Sequence, residues 1–508
     1  MTKPLTRREV LAATATTSTL SLSGCLSMLP IDQPEGSIHV PIRTNVGDPL
    51  QIKLNSFDPN ATVTLEATAT DTRGLTYKKY WSLQTNDQGK ATLSNSNTKH
   101  DQSGSTWYGT KNSLLAADCS GGAMLLQQME VTSGFATPRN FVVGDQNVVE
   151  ITLKARSGPL QRLAAQTTLS SVYIDPKISR RSINADNLVG WLYTPSTPGP
   201  HPGIIALHGS QAFVLHELSR LLATHGYATL ALKYFDAPGL PRYLENISLE
   251  YFAKAIQWLT SQKQVRDTGI GLVGFSRGVE AALLAAADHE GPATVIGYSG
   301  GGLIAPGVRG IPPREYLNKA AWTRNGTPIL SGSQVQTVFK TVQEQVYQHR
   351  CNVESAPDSI RSRVSEQKLT RLLAPVEDID GPVLLLAGSD DQQWPSPPLA
   401  ALTISRLKRR GHSHPYGLGT FCDAGHIFQY PYKNYTGSPT SDTNGGAPMA
   451  NARAAATSWP LVLSYLNRGF EQSAQHHGSI RSPVRRVNLS EYVTSPSPRC
   501  RRNPRRQC

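Results

Sequence analysis

Cysteine is scarce and scattered in this chain. There are six, at Cys25, Cys119, Cys351, Cys422, Cys500 and Cys508, with no CxxC pair. That spacing shows no zinc-type cluster, so no metal is expected; the size of the chain argues against a disulfide framework, while Cys500 and Cys508, both in the tail, could pair if the chain is exported. Long apolar runs are also missing. None reaches the ~18 residues that a bilayer-spanning helix needs, which excludes an integral helical membrane protein. Charge is modest, at 17% of residues against 39% hydrophobic, which excludes a wholly disordered chain. Acidic residues are outnumbered, 37 to 50, for a net charge of +13. The excess is uneven: Glu471 to Cys508 hold eight Arg against two Glu, so this tail alone carries 8 − 2 = +6. A Pro/Arg/Ser-rich segment of this kind reads as a solvated, disordered extension before it reads as an arm for a polyanion or a membrane surface. The rest is only mildly basic, and no nucleic-acid partner is indicated. The length allows two to four domains at about 100–200 residues each.

Residues 1–36 read as an export signal and linker. Lys3, Arg7 and Arg8 precede a weakly apolar stretch from Leu11 to Leu22, and Thr6-Arg7-Arg8-Glu9-Val10-Leu11 resembles a twin-arginine signal. Leu22-Ser23-Gly24-Cys25 resembles a lipobox, in which Cys25 carries the lipid. The expectation is a lipid-anchored protein on the outer face of a prokaryotic membrane, touching the membrane surface through that anchor. If the signal reading fails, the chain is cytoplasmic.

Residues 37–155 read as an antiparallel, immunoglobulin-like β-sandwich. Ser37–Ile42, Leu50–Leu54 and Thr62–Ala67 alternate apolar and polar residues. Ala91–Leu93, Met124–Leu126 and Val148–Leu153 are further strand candidates. Residues 156–187 read as a linker. From 188 to 470 the texture changes. Apolar runs such as Gly203–Leu207, Ala228–Leu232, Gly269–Val273, Thr294–Tyr298 and Pro382–Leu386 alternate with the helical patterns Leu249–Leu259 and Glu280–Ala287. Strands apolar on both faces predict a mostly parallel sheet flanked by helices. The irregular stretch at about 303–372 reads as an insertion over the sheet's C-terminal edge, and 471–508 as the basic tail.

Gly274-Phe275-Ser276-Arg277-Gly278 is a G-x-S-x-G motif between an apolar strand and a helical pattern, the context that marks Ser276 as a nucleophile. A serine hydroxyl needs a base to take its proton. Among 13 histidines, His426 in Cys422-Asp423-Ala424-Gly425-His426 follows every other strand, where the order Ser, Asp, His requires it. His208 is its rival, but it precedes the nucleophile; His412 and His414 lie in a polar turn. A carboxylate past the strand Pro382–Leu386 should orient the imidazole. Asp390 and Asp391 both stand there, and the G-x-x-D spacing from Gly388 selects Asp391. The oxyanion formed on attack needs amide donors. These should be the N–H of Arg277 and that of Ser210 or Gln211, in the loop after the first strand.

The arrangement resembles the acyl-CoA thioesterases and bile acid-CoA:amino acid N-acyltransferases over about residues 37–440. The resemblance rests on Pro202-Gly203-Ile204-Ile205, Leu230–Phe235, Leu240-Pro241, Leu249-Glu250-Tyr251-Phe252, Gly271–Gly278 with Glu280, Pro375-Val376-Glu377, Gly388–Asp391 with Trp394, and Ala424-Gly425-His426. It implies an α/β-hydrolase domain preceded by a β-sandwich, with the nucleophile at Ser276, acid at Asp391 and base at His426, and no cofactor. The N-acyltransferase branch carries Cys at the nucleophile. Ser276 therefore implies water as the acceptor and an acyl-CoA substrate, hydrolysed to a free carboxylic acid and CoA. Val279, where the family usually has Gly, and His208-Gly209, which replaces an apolar-Gly pair, depart from the pattern. Coenzyme A thioesters are cytosolic while the N-terminus reads as exported. Two alternatives therefore stand: an exported carboxylesterase or acyltransferase with the same triad, acting on another acyl ester or thioester, and an inactive, hydrolase-like binding lipoprotein.

Overall fold

The wholly apolar runs of the second region become neighbouring parallel strands. The computed structural model describes residues 36–93, 105–109, 125–132, 140–145, 147–185, 187–309, 315–330, 344, 353, 355–435 and 444–476. Its largest sheet has nine strands, in the order Ser179–Ala185, Leu188–Thr194, Ala228–Lys233, His201–Leu207, Val265–Phe275, Ala293–Tyr298, Val383–Gly388, Tyr416–Phe421 and Ser105–Gly109. The strands from Ala228–Lys233 through Tyr416–Phe421 are mutually parallel. Antiparallel strands extend both edges, so the sheet is mixed.

Both faces are covered, which is why these strands show no polar alternation. Side chains still sort with period 2. Ile204, Ala206, Val273, Ile296, Leu384 and Leu386 enter one core, packed on the helices His216–Thr224 and Pro448–His476. Ile205, Leu207, Leu272, Val295, Val383 and Leu385 enter the other, under the helices Leu249–Thr260, Arg277–Ala287 and Ser396–Arg409. Burying one such side chain contributes about 1.5–3 kcal/mol, and a one-residue slip would exchange the faces, so the sorting fixes register. Helix Leu249–Thr260 shows the matching stripe, burying Leu249, Phe252, Ala255, Ile256 and Leu259. A sheet of this order with helices on both sides is α/β-hydrolase-like.

Two sheets precede it. One is antiparallel and three-stranded, in the order Ser37–His39, Ile52–Asn55, Ala91–Leu93. The other has six strands: Arg43–Asn45, Arg162–Val172, Val148–Ser157, Thr62–Thr70, Thr76–Gln84 and Glu130–Val131. It is antiparallel except where Arg43–Asn45 runs parallel to Arg162–Val172. Ile52, Leu54 and Leu93 from the first and Val63, Leu65 and Leu83 from the second share a core that continues into Trp459 and Leu463 of the long C-terminal helix. The Trp459 indole also donates to the Val46 carbonyl at 3.2 Å.

Several elements differ from the sequence reading. Of Met124–Leu126, expected as a strand, Leu125 and Leu126 lie on the short helix Leu125–Gln128, and Met124 is outside the described residues; a brief apolar run does not separate strand from helix. The span 156–187, read as a linker, carries Arg162–Val172 and the edge strand Ser179–Ala185. The strand Ser105–Gly109 leaves the N-terminal sheets and pairs with Tyr416–Phe421. The leader with Cys25, the tail beyond His476, and parts of the 303–372 insertion lie outside the described residues. Among the described residues, no helix is long and apolar enough to cross a membrane, and no cluster of three metal-ligating side chains occurs.

Candidate active site

The strand Val265–Phe275 passes into the helix Arg277–Ala287 with Ser276 alone between them. Ser276 sits at φ 54°, ψ −121°, a sparsely populated conformation for a residue with a Cβ. Its amide donates to the Tyr298 carbonyl on the next strand at 2.8 Å, which helps hold the turn. The helix must start hard against the central strand. A Cβ on Gly278 would lie 2.3 Å from the Leu207 carbonyl oxygen and 2.6 Å from that of His208, so only glycine fits. The hydroxyl-bearing residue thus stands at a helix N-terminus, where the dipole favours developing negative charge.

Asp391 and His426 meet at the ends of the next strands. His426 Nδ1 is 2.8 Å from Asp391 Oδ2, with both side chains almost wholly buried. A carboxylate accepts, so Nδ1 carries the proton and Nε2 is left free to take one. Asp391 is itself held: Oδ1 accepts from the amides of Gln393 and Trp394, each at 3.0 Å, and Oδ2 from the Ser396 hydroxyl at 2.6 Å. Asp390 faces elsewhere, accepting from Gln392 Nε2 at 2.7 Å and the Gly446 amide at 3.0 Å. On the other side, the His426 ring lies 5.0 Å from that of Phe275, the residue before Ser276. Ser299, at φ 56°, donates its hydroxyl to the His426 carbonyl at 2.7 Å, and the His426 amide donates to Asn444 O at 2.8 Å.

The loop after the central strand comes alongside. A Cβ on Gly209 would lie 3.0 Å from the Ser276 Cβ, which puts Gly209 against the elbow, with Ser210 and Gln211 following it in the loop. Ser210 is buried and Gln211 half-buried. The Arg277 side chain points away, into the insertion. It donates to Glu280 Oε2 at 2.7 Å and to the carbonyls of Pro306 and Ala305 at 3.0 and 3.1 Å. Glu280 accepts in turn from the Ala305 amide and the Trp322 indole. Complete burial pushes the Glu280 carboxyl upward, against the Arg277 charge and these donors. The other histidines are occupied elsewhere: His412 Nε2 on the Gly381 carbonyl, His414 on Asp380, and His208 on its own loop.

Sequence reasoning brought together Ser276, Arg277, Asp391, His426 and the loop at Ser210 and Gln211. It missed Ser396, Ser299 and the insertion's grip on Arg277. Ser396 left a faint signal, a hydroxyl five residues past Asp391 at a helix start. Ser299 left one in the glycine run Gly300-Gly301-Gly302 that follows it. An elbow hydroxyl, a carboxylate-tied imidazole and an amide loop are parts that can carry out nucleophilic acyl transfer.

Residues 247–472 match the family described as BAAT / Acyl-CoA thioester hydrolase C terminal. Human "Acyl-coenzyme A thioesterase 2, mitochondrial" is 28% identical over 337 residues, covering 64% of this chain and 63% of that protein. The chain thus spans just under two thirds of that relative. Mouse "Acyl-coenzyme A amino acid N-acyltransferase 1" is 26% identical over 448 residues, covering 86% of this chain and 98% of the relative. Mouse "Acyl-coenzyme A thioesterase 1" is 25% identical over 445 residues, 84% of this chain and 95% of the relative. Among solved structures, Pyrococcus horikoshii acylaminoacyl peptidase aligns with a TM-score of 0.36 at 13% identity, over 85% of this chain and 68% of that one. Residues 247–472 thus carry a BAAT / Acyl-CoA thioester hydrolase C-terminal domain, and over most of its length the chain is similar to acyl-CoA thioesterases and an acyl-CoA amino acid N-acyltransferase.

Proposed function

We propose that this protein is a serine acyl-thioester hydrolase that releases a free carboxylic acid and CoA from an acyl-CoA. The observation that carries the reading is the 2.8 Å contact between His426 Nδ1 and Asp391 Oδ2 beside the strained Ser276 elbow. In this reading, His426 Nε2 takes the Ser276 proton as Oγ attacks the acyl carbonyl. The oxyanion is held by the Arg277 amide and that of Ser210 or Gln211; one such donor is worth about 100- to 1,000-fold in rate. Collapse breaks the C–S bond, and the imidazolium returns its proton to the leaving thiolate. Water, deprotonated by His426, then cleaves the acyl-serine ester. The relatives' printed activities supply the substrate class, and a serine nucleophile favours water as the acceptor.

The alternative, an exported esterase or acyltransferase using the same residues, has one specific observation behind it. Cys422, four residues before His426, is disulfide-bonded. Disulfides persist in oxidising compartments and are rare in the cytosol, which accords with the lipobox at Cys25. In both readings the N-terminal sheets are a structural module. Purified protein assayed against acyl-CoAs and matched oxygen esters, with Ser276→Ala as control, separates the two. Ser276-dependent CoA release supports the thioesterase. Ser276-dependent turnover of oxygen esters alone supports the exported esterase, and turnover that survives Ser276→Ala refutes both. Recovery of the full-length, unlipidated chain from the cytosol would count against export.

A further inference from the structure

His208 is fully buried at the end of the central strand, and the proposed mechanism does not use it. Its Nδ1 lies 2.8 Å from the Gly209 carbonyl. A carbonyl only accepts, so Nδ1 carries the ring proton. Burial drives the imidazole's pKa down to about 3, so it is neutral at ordinary pH, and the Nε2 lone pair has no partner. An orphaned buried acceptor is costly, and an apolar residue would avoid it. The ring stacks on Tyr234, with centroids 4.2 Å apart and planes at 5°, and the Tyr234 hydroxyl donates to the His208 carbonyl.

Strand order gives these bonds a direction. The central strand His201–Leu207 has Ala228–Lys233 on one side, which ends at Tyr234, and Val265–Phe275 on the other, which ends at Ser276. The His208 ring is therefore on the side away from Ser276, and it draws the Gly209 carbonyl that way. The Ala212 amide, at 3.2 Å, binds the same oxygen. In a trans peptide the carbonyl of one residue and the N–H of the next point in opposite directions. Turning the Gly209 carbonyl toward Tyr234 turns the Ser210 N–H toward Ser276. Were this peptide to flip, an acceptor would stand where an oxyanion needs a donor.

We propose that His208 is a positioning residue of the oxyanion loop, whose Nδ1–H holds the Gly209–Ser210 peptide in the orientation that aims the Ser210 amide at the oxyanion. The inference rests on the serine-hydrolase reading and selects Ser210 over Gln211 as the loop donor. The test compares two near-isosteric variants of the full chain, His208→Asn, which keeps a donor near the Nδ1 position, and His208→Leu, which has none. His208→Leu should lower kcat about 10- to 100-fold, part of the loss expected for a whole donor. KM should barely change, because the donor acts on the transition state. His208→Asn should recover most of kcat. The melting temperature of His208→Leu should hold or rise, because the orphaned Nε2 is gone and Ala212 still serves the Gly209 carbonyl. Equal kcat in the two variants, or a loss that tracks stability alone, overturns the proposal. Should His208→Leu not fold, His208→Phe, which keeps the ring stack, replaces it with the same expectations. Ser276→Ala is run beside them: if it stays active, the serine-hydrolase reading falls and this inference with it. If it is dead while His208→Leu turns over normally, only the inference falls.

Discussion

Replacing Asp391 by Asn changes one atom in the tightest-bound group of the site. Asp391 accepts four hydrogen bonds: two from the amides of Gln393 and Trp394, one from Ser396 and one from His426 Nδ1. An asparagine can point its oxygen at the two amides, which leaves its NH2 facing Ser396 and His426. The Ser396 hydroxyl can rotate to accept. The imidazole can accept only by moving its proton to Nε2, and then no base faces the serine. The fold should survive, since the replacement is isosteric, while kcat falls about 10³- to 10⁴-fold, or roughly 4–5.5 kcal/mol of barrier. Asp390→Asn is the control, because that carboxylate accepts from Gln392 and Gly446, whereas His426 is bound by Asp391. It should stay within about tenfold of wild type, since it alters no group on the reacting atoms. The assay is steady-state thioester and ester hydrolysis, with thermal melting to confirm folding. Asp391→Asn retaining a tenth or more of wild-type kcat, or the two variants behaving alike, would refute the assignment.

Glu280→Ala would strand the buried Arg277 charge, at a cost of about 3–5 kcal/mol; the melting temperature should drop by several degrees, with a fall in Ser276 labelling by a fluorophosphonate probe. Gly209→Ala brings a Cβ to 3.0 Å from that of Ser276, so kcat should fall with a small change in melting temperature, whereas Gly278→Ala meets backbone oxygen at 2.3 Å and should compromise folding itself. Acid should weaken the fold through His208. Its pKa is about 3 folded against 6.5 unfolded, so the unfolded chain alone takes up a proton as pH falls below 6.5. Stability is unaffected above that pH and is lost down to about 3, by (6.5 − 4) × 1.36, or roughly 3 kcal/mol, at pH 4. Melting curves at pH 7 and pH 4 should therefore show a larger loss for wild type than for His208→Leu, and equal losses would refute the assignment.

The site was more legible in the sequence than the N-terminal region, for a physical reason. G-x-S-x-G is a short-range constraint. Its glycines are demanded by backbone contact, and its serine by an adjacent strand and helix that both show in hydrophobic pattern. The G-x-x-D spacing likewise sits in one turn, whose amides at Gln393 and Trp394 bind Asp391 locally. Strand Thr76–Gln84 was harder to see, since Lys78 and Lys79 interrupt the run while Tyr77, Trp81 and Leu83 carry the buried face. Ser105–Gly109 is not among the strands read from the sequence and lies inside the span assigned to the sandwich; nothing local tells a strand which of two sheets it will join, and that is settled by pairing with Tyr416–Phe421, more than 300 residues on.

The insertion is wired to both halves of the site, and this bears on how the enzyme would respond to change. From one side, Arg277, next to the serine, reaches the carbonyls of Ala305 and Pro306, and Glu280 one turn on holds Ala305 and Trp322. From the other, Trp394, whose amide binds Asp391, buries its ring in a small core with Leu303, Ala305, Leu372 and Leu399. Ala305 belongs to both contacts. Ala305 and its neighbours therefore cannot shift by one discrete step without moving either the helix that starts at the elbow or the turn that carries the carboxylate. A lid hinged away from the catalytic groups would let binding vary while chemistry stayed constant. Under the serine-hydrolase reading, the same insertion residues hold the helix that starts at the proposed nucleophile and the turn that carries the proposed acid, so a change at Ala305 or Trp394 should act on catalytic competence as well as on substrate fit.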